Sequence, residues 1–385
     1  MNGLFDSPPD RKATKSFKWN REDIIPLWVA DMDFPCAKPI SDALIERAKH
    51  PIYGYTTRDE GYINAFLDWM KRRHQFSPAP EWLTFSPPGI IYAIERIVQI
   101  ATKPGDSIIV PTPDYTSFYD VVKGTGRKLI YTPMLQNVHG KYELDIEGIK
   151  RQAADGAKML IFSSPNNPTG RVYRGEELLK LVRISGEYGL LILSDEIFAD
   201  FVYKGNKHLP IHTIDQGAND KIISFYAVNK SFNLGGLQMS TVIIPDEELR
   251  NQYNAAMYIA QTRLDNVFGV IAFENAYNYG EQWLDQVIAY VAENRAFVEN
   301  KLIGSLPEIK ICPGEGTFLI WLDCRALNLG PERLKDLFIE KAGIIPTFGD
   351  EFGPLGEGFV RLNIACAKPL LEQAISQLVE AKRKL

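Results

Sequence analysis

The 385-residue sequence predicts an α/β protein in which a large domain, with a mainly parallel sheet between helices, is joined to a smaller α+β domain. In the middle of the chain, apolar runs of strand length alternate with amphipathic stretches, a pattern typical of parallel sheets covered on both faces. A second group of strand-like runs follows a long helical pattern near the C-terminus. We predict that residues 1–50 are an N-terminal segment belonging to the small domain. Residues 51–285 form the large domain, and residues 286–385 form the C-terminal small domain.

The individual elements are predicted from local patterns. Five apolar runs in the middle of the chain predict strands at residues 107–110, 158–162, 190–193, 221–225 and 241–244. Residues 176–188 are bounded by glycines and predict a helix between two of these strands. A helical pattern over residues 275–306 leads to the second domain, where residues 317–322 and 358–363 predict strands. Five residues line one face of a closing helix: Leu370, Leu371, Ala374, Ile375 and Leu378.

Composition and charge exclude several classes of function. With 24% charged and 45% hydrophobic residues, the chain has the make-up of an ordinary globular protein. A net charge of −5 gives no electrostatic basis for binding nucleic acid or an anionic membrane surface. No uninterrupted apolar run approaches the length that spans a bilayer, and residues 1–12 lack the apolar stretch of a secretory signal. The sequence therefore predicts a cytoplasmic protein.

No metal site is predicted. The four cysteines form no C-x-x-C pair, which argues against a disulfide framework or a cysteine-based zinc site: Cys36, Cys312, Cys324 and Cys366. His208 and His212 have a helical ligand spacing, but Pro210 lies between them and favours loop histidines. Asp31 and Asp33 resemble an acidic metal pair only superficially.

Four chemically distinct side chains follow predicted strands. Tyr115, Asn167, Asp195 and Lys230 come after four different apolar runs, and ligands of open parallel sheets bind outside the carboxyl ends of the strands. An aromatic ring, an amide, a carboxylate and an amine suit a charged aromatic aldehyde cofactor. The amine can form a Schiff base, and the carboxylate can hold a pyridine nitrogen protonated. The amide can donate to a ring oxygen, and the aromatic ring can stack on the cofactor.

A phosphate site is predicted at the start of a helix. Gly89, Ile90 and Ile91 open an amphipathic stretch that runs to about Thr102. Backbone N–H groups at a helix start bind phosphate, and a glycine lets the backbone approach an anion closely.

Eight motifs together carry a family resemblance. They are PLWVADMDF (26–34), YGYT (53–56), PGIIYAIERIV (88–98), PTPDYTSF (111–118), SPNNPTGRVY (164–173), SDEIFADFVY (194–203), NKSFNLGGLQ (229–238) and FVRLNIA (359–365). By these motifs the chain resembles the fold-type I enzymes that depend on pyridoxal 5′-phosphate (PLP), in the class I/II aminotransferase superfamily. Within that superfamily it is most similar to the MalY/PatB type of cystathionine β-lyase (C–S lyase). The resemblance implies the PLP-dependent transferase-like fold.

The resemblance implies a role for each matched cofactor residue. Lys230 is the Schiff-base lysine and moves the Cα proton of the substrate. Asp195 pairs with the pyridine nitrogen, Asn167 donates to the phenolate oxygen, and Tyr115 stacks on the ring. Backbone N–H groups of residues 89–91 hold the phosphate.

The resemblance also implies substrate and partner contacts. Arg361 clamps the substrate carboxylate, a bidentate task for which a lysine is a poor substitute. Ala30 lies beside that carboxylate. Tyr55 reaches the phosphate of the neighbouring subunit, so a homodimer is expected.

Three positions depart from the family pattern. Phe198 stands where typical aminotransferases have tyrosine and many C–S lyases have histidine. Ala227 replaces a serine or threonine that often contacts phosphate, and Gln238 replaces a phosphate-binding arginine. Phosphate binding should therefore depend on the helix start, on Tyr55 and on Asn229. Gln238 favours the C–S lyase branch.

The function implied by the resemblance is β-elimination of sulfur amino acids, such as L-cystathionine or L-cysteine conjugates, to give a thiol, pyruvate and ammonia. The alternative is an aminotransferase on the same scaffold, which shares every catalytic residue named. A regulatory or partner-binding protein with this fold is a third reading. The presence of both Lys230 and Asp195 argues against it.

Overall fold

The computed structural model describes residues 3–21 and 23–384, and two β-sheets organise them. The strands are β1 (Ile25–Pro26), β2 (Leu83–Phe85), β3 (Ser107–Thr112), β4 (Lys128–Pro133), β5 (Leu135–Gln136), β6 (Tyr142–Glu143), β7 (Met159–Ser163), β8 (Leu191–Asp195), β9 (Ile222–Tyr226), β10 (Thr241–Ile243), β11 (Lys310–Ile311), β12 (Leu319–Asp323), β13 (Ile344–Ile345), β14 (Thr347–Phe348) and β15 (Phe359–Asn363). The helices are α1 (Gly3–Asp6), α2 (Lys38–Lys49), α3 (Glu60–His74), α4 (Ile90–Ala101), α5 (Thr116–Gly124), α6 (Ile146–Ala154), α7 (Gly175–Tyr188), α8 (Val228–Ser231), α9 (Glu247–Ile259), α10 (Val267–Tyr279), α11 (Glu281–Ser305), α12 (Pro331–Asp336) and α13 (Lys368–Arg383).

The larger sheet has seven strands in the order β2-β10-β9-β8-β7-β3-β4. Strand β10 runs antiparallel to both of its neighbours, and the other four pairings are parallel. The five strands predicted in the middle of the chain are therefore confirmed as β3, β7, β8, β9 and β10. This mainly parallel sheet confirms the predicted fold class.

Helices cover both faces of the larger sheet. Successive residues of a strand point to opposite faces, and Ile161 packs with residues of α4, α5 and α9, whereas Leu160 and Phe162 pack with residues of α6 and α7. Strands β7, β8 and β9 are accordingly buried along their whole length. This double burial explains why their sequences are continuous apolar runs with no alternation.

The long helical pattern predicted over residues 275–306 forms two helices, α10 and α11, which meet at Gly280. A Cβ atom at Gly280 would lie 2.5 Å from the Phe232 ring, so close packing there requires glycine.

Helix α7 matches its predicted bounds within one residue and ends at Gly189, whose φ of 67° is the left-handed conformation that favours glycine.

The smaller sheet has four antiparallel strands in the order β11-β12-β15-β14. Its central strands β12 and β15 confirm the two strands predicted near the C-terminus, and α13 is the closing helix. The N-terminal segment is attached to this region, because β1 pairs with β13 and the Asp33 N–H donates to the Ala365 carbonyl. Helix α2, in contrast, packs against α10 of the predicted large domain. The domain boundaries at residues 50 and 285 stay predictions.

None of the helices in the described residues is both long and apolar enough to cross a membrane. The same residues contain no cluster of three or more histidines, cysteines or acidic residues placed to hold a metal ion. His208 and His212 are buried and bonded elsewhere: His208 Nε2 lies 2.6 Å from a Glu196 oxygen, and His212 Nδ1 lies 3.2 Å from Asn219 Oδ1.

Glu315, in the loop between β11 and β12, fixes the loop that carries Asn167. Its carboxylate accepts hydrogen bonds from Arg171 Nη1 (2.9 Å), from the Val172 N–H (3.0 Å) and from Arg174 Nη2 (2.6 Å). Its backbone N–H donates to the Gly170 carbonyl at 2.7 Å. The Arg171 side chain is only 4% exposed, so Glu315 neutralises a buried cation.

The Glu315→Ala substitution is expected to lower the free energy of unfolding by about 1–3 kcal/mol, because it removes the acceptor of the Val172 N–H and leaves Arg171 with Glu177 as its remaining counter-charge among the described residues. Urea denaturation measures this change. Asp323→Ala is the matched control: the Arg325 partner is half exposed, so a loss below about 1 kcal/mol is expected. Equal losses in the two variants would contradict the role given to Glu315.

Candidate active site

The carboxyl ends of four parallel strands bring the predicted cofactor residues to one edge of the larger sheet. Asp195 is the last residue of β8, and Lys230 lies in α8, directly after β9. Asn167 follows β7, and Tyr115 follows β3. The four residues therefore lie at the same edge of the larger sheet, as predicted.

Lys230 is an amine with a lowered pKa. Its Nζ donates to the Ala30 carbonyl at 2.7 Å. Burial, followed by the positive charge of Arg361, lowers the pKa of Lys230 to about 8, while Asp31 and Asp195 act in the opposite direction. An amine of this pKa is available in its neutral form near physiological pH, as a nucleophile or a general base requires.

Asp195 is a buried carboxyl group with few partners. Burial raises its pKa to about 7, although the Ile197 N–H and the Lys230 charge act to lower it. The only hydrogen bond that it accepts from described residues comes from the Ile197 N–H, at 3.1 Å. Lys230 and Asp195 each change the pKa of the other, so the two groups lie within electrostatic reach. A protonated ring nitrogen would fit this carboxylate, because it would supply the missing counter-charge.

Arg361 of β15 extends from the smaller sheet to the loop after β7. Nη1 donates to Asn167 Oδ1 at 2.9 Å, and Nη2 donates to the Trp28 carbonyl at 2.6 Å and to Thr347 Oγ1 at 2.9 Å. Its Nε is buried and has no hydrogen-bond partner in the described part of the chain. Burial lowers the pKa of Arg361 to about 10. A buried guanidinium without a carboxylate partner among the described residues suits a substrate carboxylate.

The predicted phosphate site differs from expectation at Gly89. The Gly89 N–H donates to the Ser86 carbonyl at 3.0 Å, so Gly89 does not offer the free N–H that was predicted. Its φ of 103° instead provides the turn into α4. Ile90 and Ile91 are the first residues of α4, and N–H groups at these positions have no acceptor within the helix. The N–H groups free to bind an anion therefore begin at Ile90.

The positions that depart from the family pattern have distinct environments. Asn229 Oδ1 is buried without a hydrogen-bond partner among the described atoms, whereas Gln238 is exposed and Ala227 is buried. Phe198 is a core residue: its ring lies edge-on to Phe318, with 5.3 Å between the ring centroids. Neither Ala227 nor Phe198 has a side chain that can form a hydrogen bond with a cofactor.

Tyr115 and Tyr55 have opposite environments. Tyr115 is half-buried, with its ring edge-on to Phe118, and it lies within electrostatic reach of Arg361. Tyr55 is 92% exposed and lies between α2 and α3 in a segment without helix or strand. The structure brings Tyr115 to the edge with the other predicted residues, but it does not bring Tyr55 there.

Asp114 and Ser163 were not assigned a role from the sequence. Asp114 Oδ1 accepts from the Tyr115 N–H (2.7 Å) and from Ser163 Oγ (2.5 Å), and Ser163 Oγ accepts from the Asn167 N–H (3.0 Å). Burial raises the pKa of Asp114 to about 8. The two residues thus orient the backbone of Tyr115 and Asn167. The only available signal was the position of Asp114 beside Tyr115 in the PTPDYTSF motif.

The sheet, the paired amine and carboxyl group and the arginine from the smaller sheet define a class of enzyme. The chain matches the family model of aminotransferase class I and II over residues 22–378 and belongs to this family. It is 37% identical to cystathionine beta-lyase PatB of Bacillus subtilis, an alignment that covers 98% of this chain and 99% of that protein. These matches confirm the predicted family resemblance.

Two solved structures are also similar. A PLP-bound putative aminotransferase from Clostridium difficile 630 aligns with a TM-score of 0.96 and 36% identity, covering 98% of this chain and 99% of that chain. Cystalysin from Treponema denticola, which contains a pyridoxal 5′-phosphate cofactor, aligns with a TM-score of 0.95 and 32% identity over 99% of this chain and 98% of that one. The predicted fold is confirmed.

In cofactor-free protein, Asp195→Asn is expected to raise the free energy of unfolding by about 2–4 kcal/mol at pH 8, because it removes a buried charge. The pKa of Asp195 is raised from 3.8 to about 7, so the wild-type carboxylate destabilises the fold increasingly as the pH rises through this interval. Near pH 3.8, at the lower end of this interval, the wild type and the variant should be equally stable. Urea denaturation across this pH range measures the difference.

The exposed Asp155→Asn serves as the control for this experiment, because removal of a solvated charge changes stability little at any pH. An Asp195→Asn variant that is no more stable than wild type at pH 8 would show that the carboxyl group is not desolvated.

Proposed function

We propose that this chain is a PLP-dependent lyase that cleaves the C–S bond of L-cystathionine and related L-cysteine conjugates by β-elimination, giving a thiol, pyruvate and ammonia. The observation that carries the proposal is the coupled pair of Lys230 and Asp195, whose pKa values are shifted toward neutrality at adjacent strand ends. Full-length similarity to a cystathionine beta-lyase supports the choice of reaction. The cytoplasmic location predicted from the sequence stays a prediction.

The residues present fit the cofactor. Pyridoxal phosphate, when bound, supplies an aldehyde for covalent attachment and a pyridinium ring that accepts the electron pair left on the substrate Cα. Lys230 would be the amine for attachment, Asp195 would keep the ring nitrogen protonated, and Tyr115 would pack on the ring. The free N–H groups at the start of α4 are donors that a phosphate group would satisfy.

Lys230 and Arg361 divide the work on the substrate. Arg361 binds the substrate carboxylate, for which its buried Nε is a free donor. Lys230 Nζ takes the proton from Cα and returns a proton to the sulfur atom that leaves Cβ, so that it acts first as base and then as acid. Ala30, whose carbonyl accepts from Nζ, keeps this amine beside the substrate.

The alternative function is an aminotransferase, and similarity to a putative aminotransferase favours keeping it. The two reactions use the same amine, carboxylate and arginine and differ in where the proton is returned. Gln238, exposed at the position where typical aminotransferases place a phosphate-binding arginine, favours the lyase.

The proposed function predicts steady release of pyruvate and thiol from L-cystathionine without an added keto acid. Lys230→Ala should lower kcat on the order of 10²- to 10⁴-fold, because it removes the base, and borohydride should no longer fix the cofactor to the protein. The exposed Lys221→Ala is the control and should behave as wild type. If turnover requires an added keto acid, the lyase assignment is wrong and the aminotransferase assignment is supported.

We further propose a homodimer in which Tyr55 completes the phosphate site of the other subunit. Tyr55 is 92% exposed, and the neighbouring Ile52 and Tyr53 are also exposed. Arg58 pairs with Asp265 at 2.8 Å, so this segment lies beside residues 258–264, which carry the exposed Ile259. Several exposed large apolar residues in neighbouring segments are typical of a protein interface.

Mixing two variants tests the shared site. Subunits with Lys230→Ala and subunits with Tyr55→Phe should each have low activity at limiting cofactor. In a mixed dimer, one site has both intact residues, so random reassortment should restore about one quarter of the wild-type sites. Titration of activity against the mixing ratio measures this. An absence of recovery, with dimers present by light scattering, would place Tyr55 outside the partner's site.

A further inference from the structure

A buried ion cluster links the N-terminal segment to the WVADMDF motif. It consists of Arg11, Lys18, Asp31 and Asp33 and is called the N-terminal clasp. Lys18 Nζ donates to Asp33 Oδ2 at 2.9 Å, and the Lys18 and Asp33 residues are 1% and 5% exposed. Arg11 donates to Asp31 Oδ2 and to Asp33 Oδ1, both at 2.7 Å. The acidic pair that superficially resembled a metal site therefore holds two protein cations.

The clasp also binds the backbone of the motif. Arg11 Nη1 donates to the Met32 carbonyl at 3.1 Å, and Lys18 Nζ donates to the Asp31 carbonyl at 3.2 Å. Residues 27–34 form no helix or strand. Backbone hydrogen bonds hold this segment at Leu27 and Asp33. Between these two residues its carbonyl groups are held by side chains, those of the clasp together with Asn233 and Asn363.

The same short segment contacts the two groups that act on the substrate. The Trp28 carbonyl accepts from Arg361 Nη2 at 2.6 Å, and the Ala30 carbonyl accepts from Lys230 Nζ at 2.7 Å. Asp31 of the clasp directly follows Ala30 in the chain. A shift of about 1 Å in residues 28–32 would displace the acceptors of both groups, and misplacement on that scale can cost on the order of 100-fold in rate.

We propose that the N-terminal clasp is a set of positioning residues that holds Lys230 and Arg361 through the carbonyl groups of residues 28–32. The roles of Lys230 and Arg361 in this inference rest on the proposed function. The clasp forms no hydrogen bond with either of their side chains among the described residues, so it positions them through the backbone. The charge of Asp31 acts in addition to raise the pKa of Lys230. Loss of the clasp should therefore affect substrate binding, through Arg361, and the chemical step, through Lys230.

The test uses the full-length holoenzyme with Arg11→Met. Arg11 is partly exposed, and Lys18 keeps its pair with Asp33, so the variant retains a counter-charge for each buried ion. We expect a raised KM and a lowered kcat for L-cystathionine, with kcat/KM reduced on the order of 10- to 100-fold. Amide hydrogen exchange of residues 26–34, followed by mass spectrometry, should become faster.

Arg21→Met is the matched control, because Arg21 lies in the same N-terminal segment but, among the described residues, pairs with Asp23 alone, and both are exposed. Its kinetics and exchange should equal those of wild type. Arg11→Lys retains the charge but not the two-pronged contact with Asp31, so it should recover part of the lost kcat/KM.

Two results would overturn the proposal: wild-type exchange in residues 26–34 of Arg11→Met, or a lowered melting temperature with unchanged kcat and KM, which a merely structural role would give. If Arg11→Met does not fold, Arg11→Gln, which also leaves the Asp31 charge in place, is measured in the same way and judged by the same two results. Faster exchange in a protein whose wild type cleaves no amino acid would support the clasp while rejecting the proposed function.

Discussion

Desolvation of an amine and a carboxyl group at one sheet edge is the constraint on which the site depends. Burial moves the pKa of Lys230 down to about 8 and that of Asp195 up to about 7, so each group resists its charged form. In isolation such burial is costly to the fold. A bound aromatic cation beside Asp195 and a covalent partner for Lys230 would remove both costs. Burial of these two groups therefore lowers the stability of the fold and keeps both groups available for function.

The smaller sheet contributes as much to the site as the larger one. Arg361 crosses from β15 to Asn167 of the larger domain, and Glu315 binds the same loop through Arg171. Behind the site, Ser231, adjacent to Lys230, donates to Asp200, which also binds His74. These contacts fix the loop residue Asn167 and the helix residue Lys230 relative to the two sheets.

Much of the fold and part of the site could be predicted from the sequence. Apolar runs locate β3, β7, β8, β9 and β10 because a doubly covered strand has no polar face, and the residue after each run locates the common edge. The hydrogen bonds of backbone groups at the site could not be predicted from the positions of apolar runs. The Gly89 N–H is engaged by Ser86, and Asp114 orients Tyr115, because these contacts depend on local geometry that residue type does not specify.

Long-range pairing was also hidden from the sequence. Asp31 and Asp33 stand two residues apart as in an acidic ligand motif, and only the folded chain brings Arg11 and Lys18 to them. Phe198 likewise could be compared with the tyrosine or histidine of related enzymes, but its contact with Phe318 depends on how the two domains meet.

The hydrogen bond between Arg361 and the Trp28 carbonyl joins residues 333 positions apart, which has a consequence for biosynthesis. Because ribosomes make chains from the N-terminus, the segment around Trp28 emerges long before β15 exists. During that interval its carbonyl groups and the apolar strand β1 lack their partners and are open to chaperones or to aggregation. The proposed carboxylate-binding half of the pocket can therefore form only after the ribosome has translated the chain beyond β15.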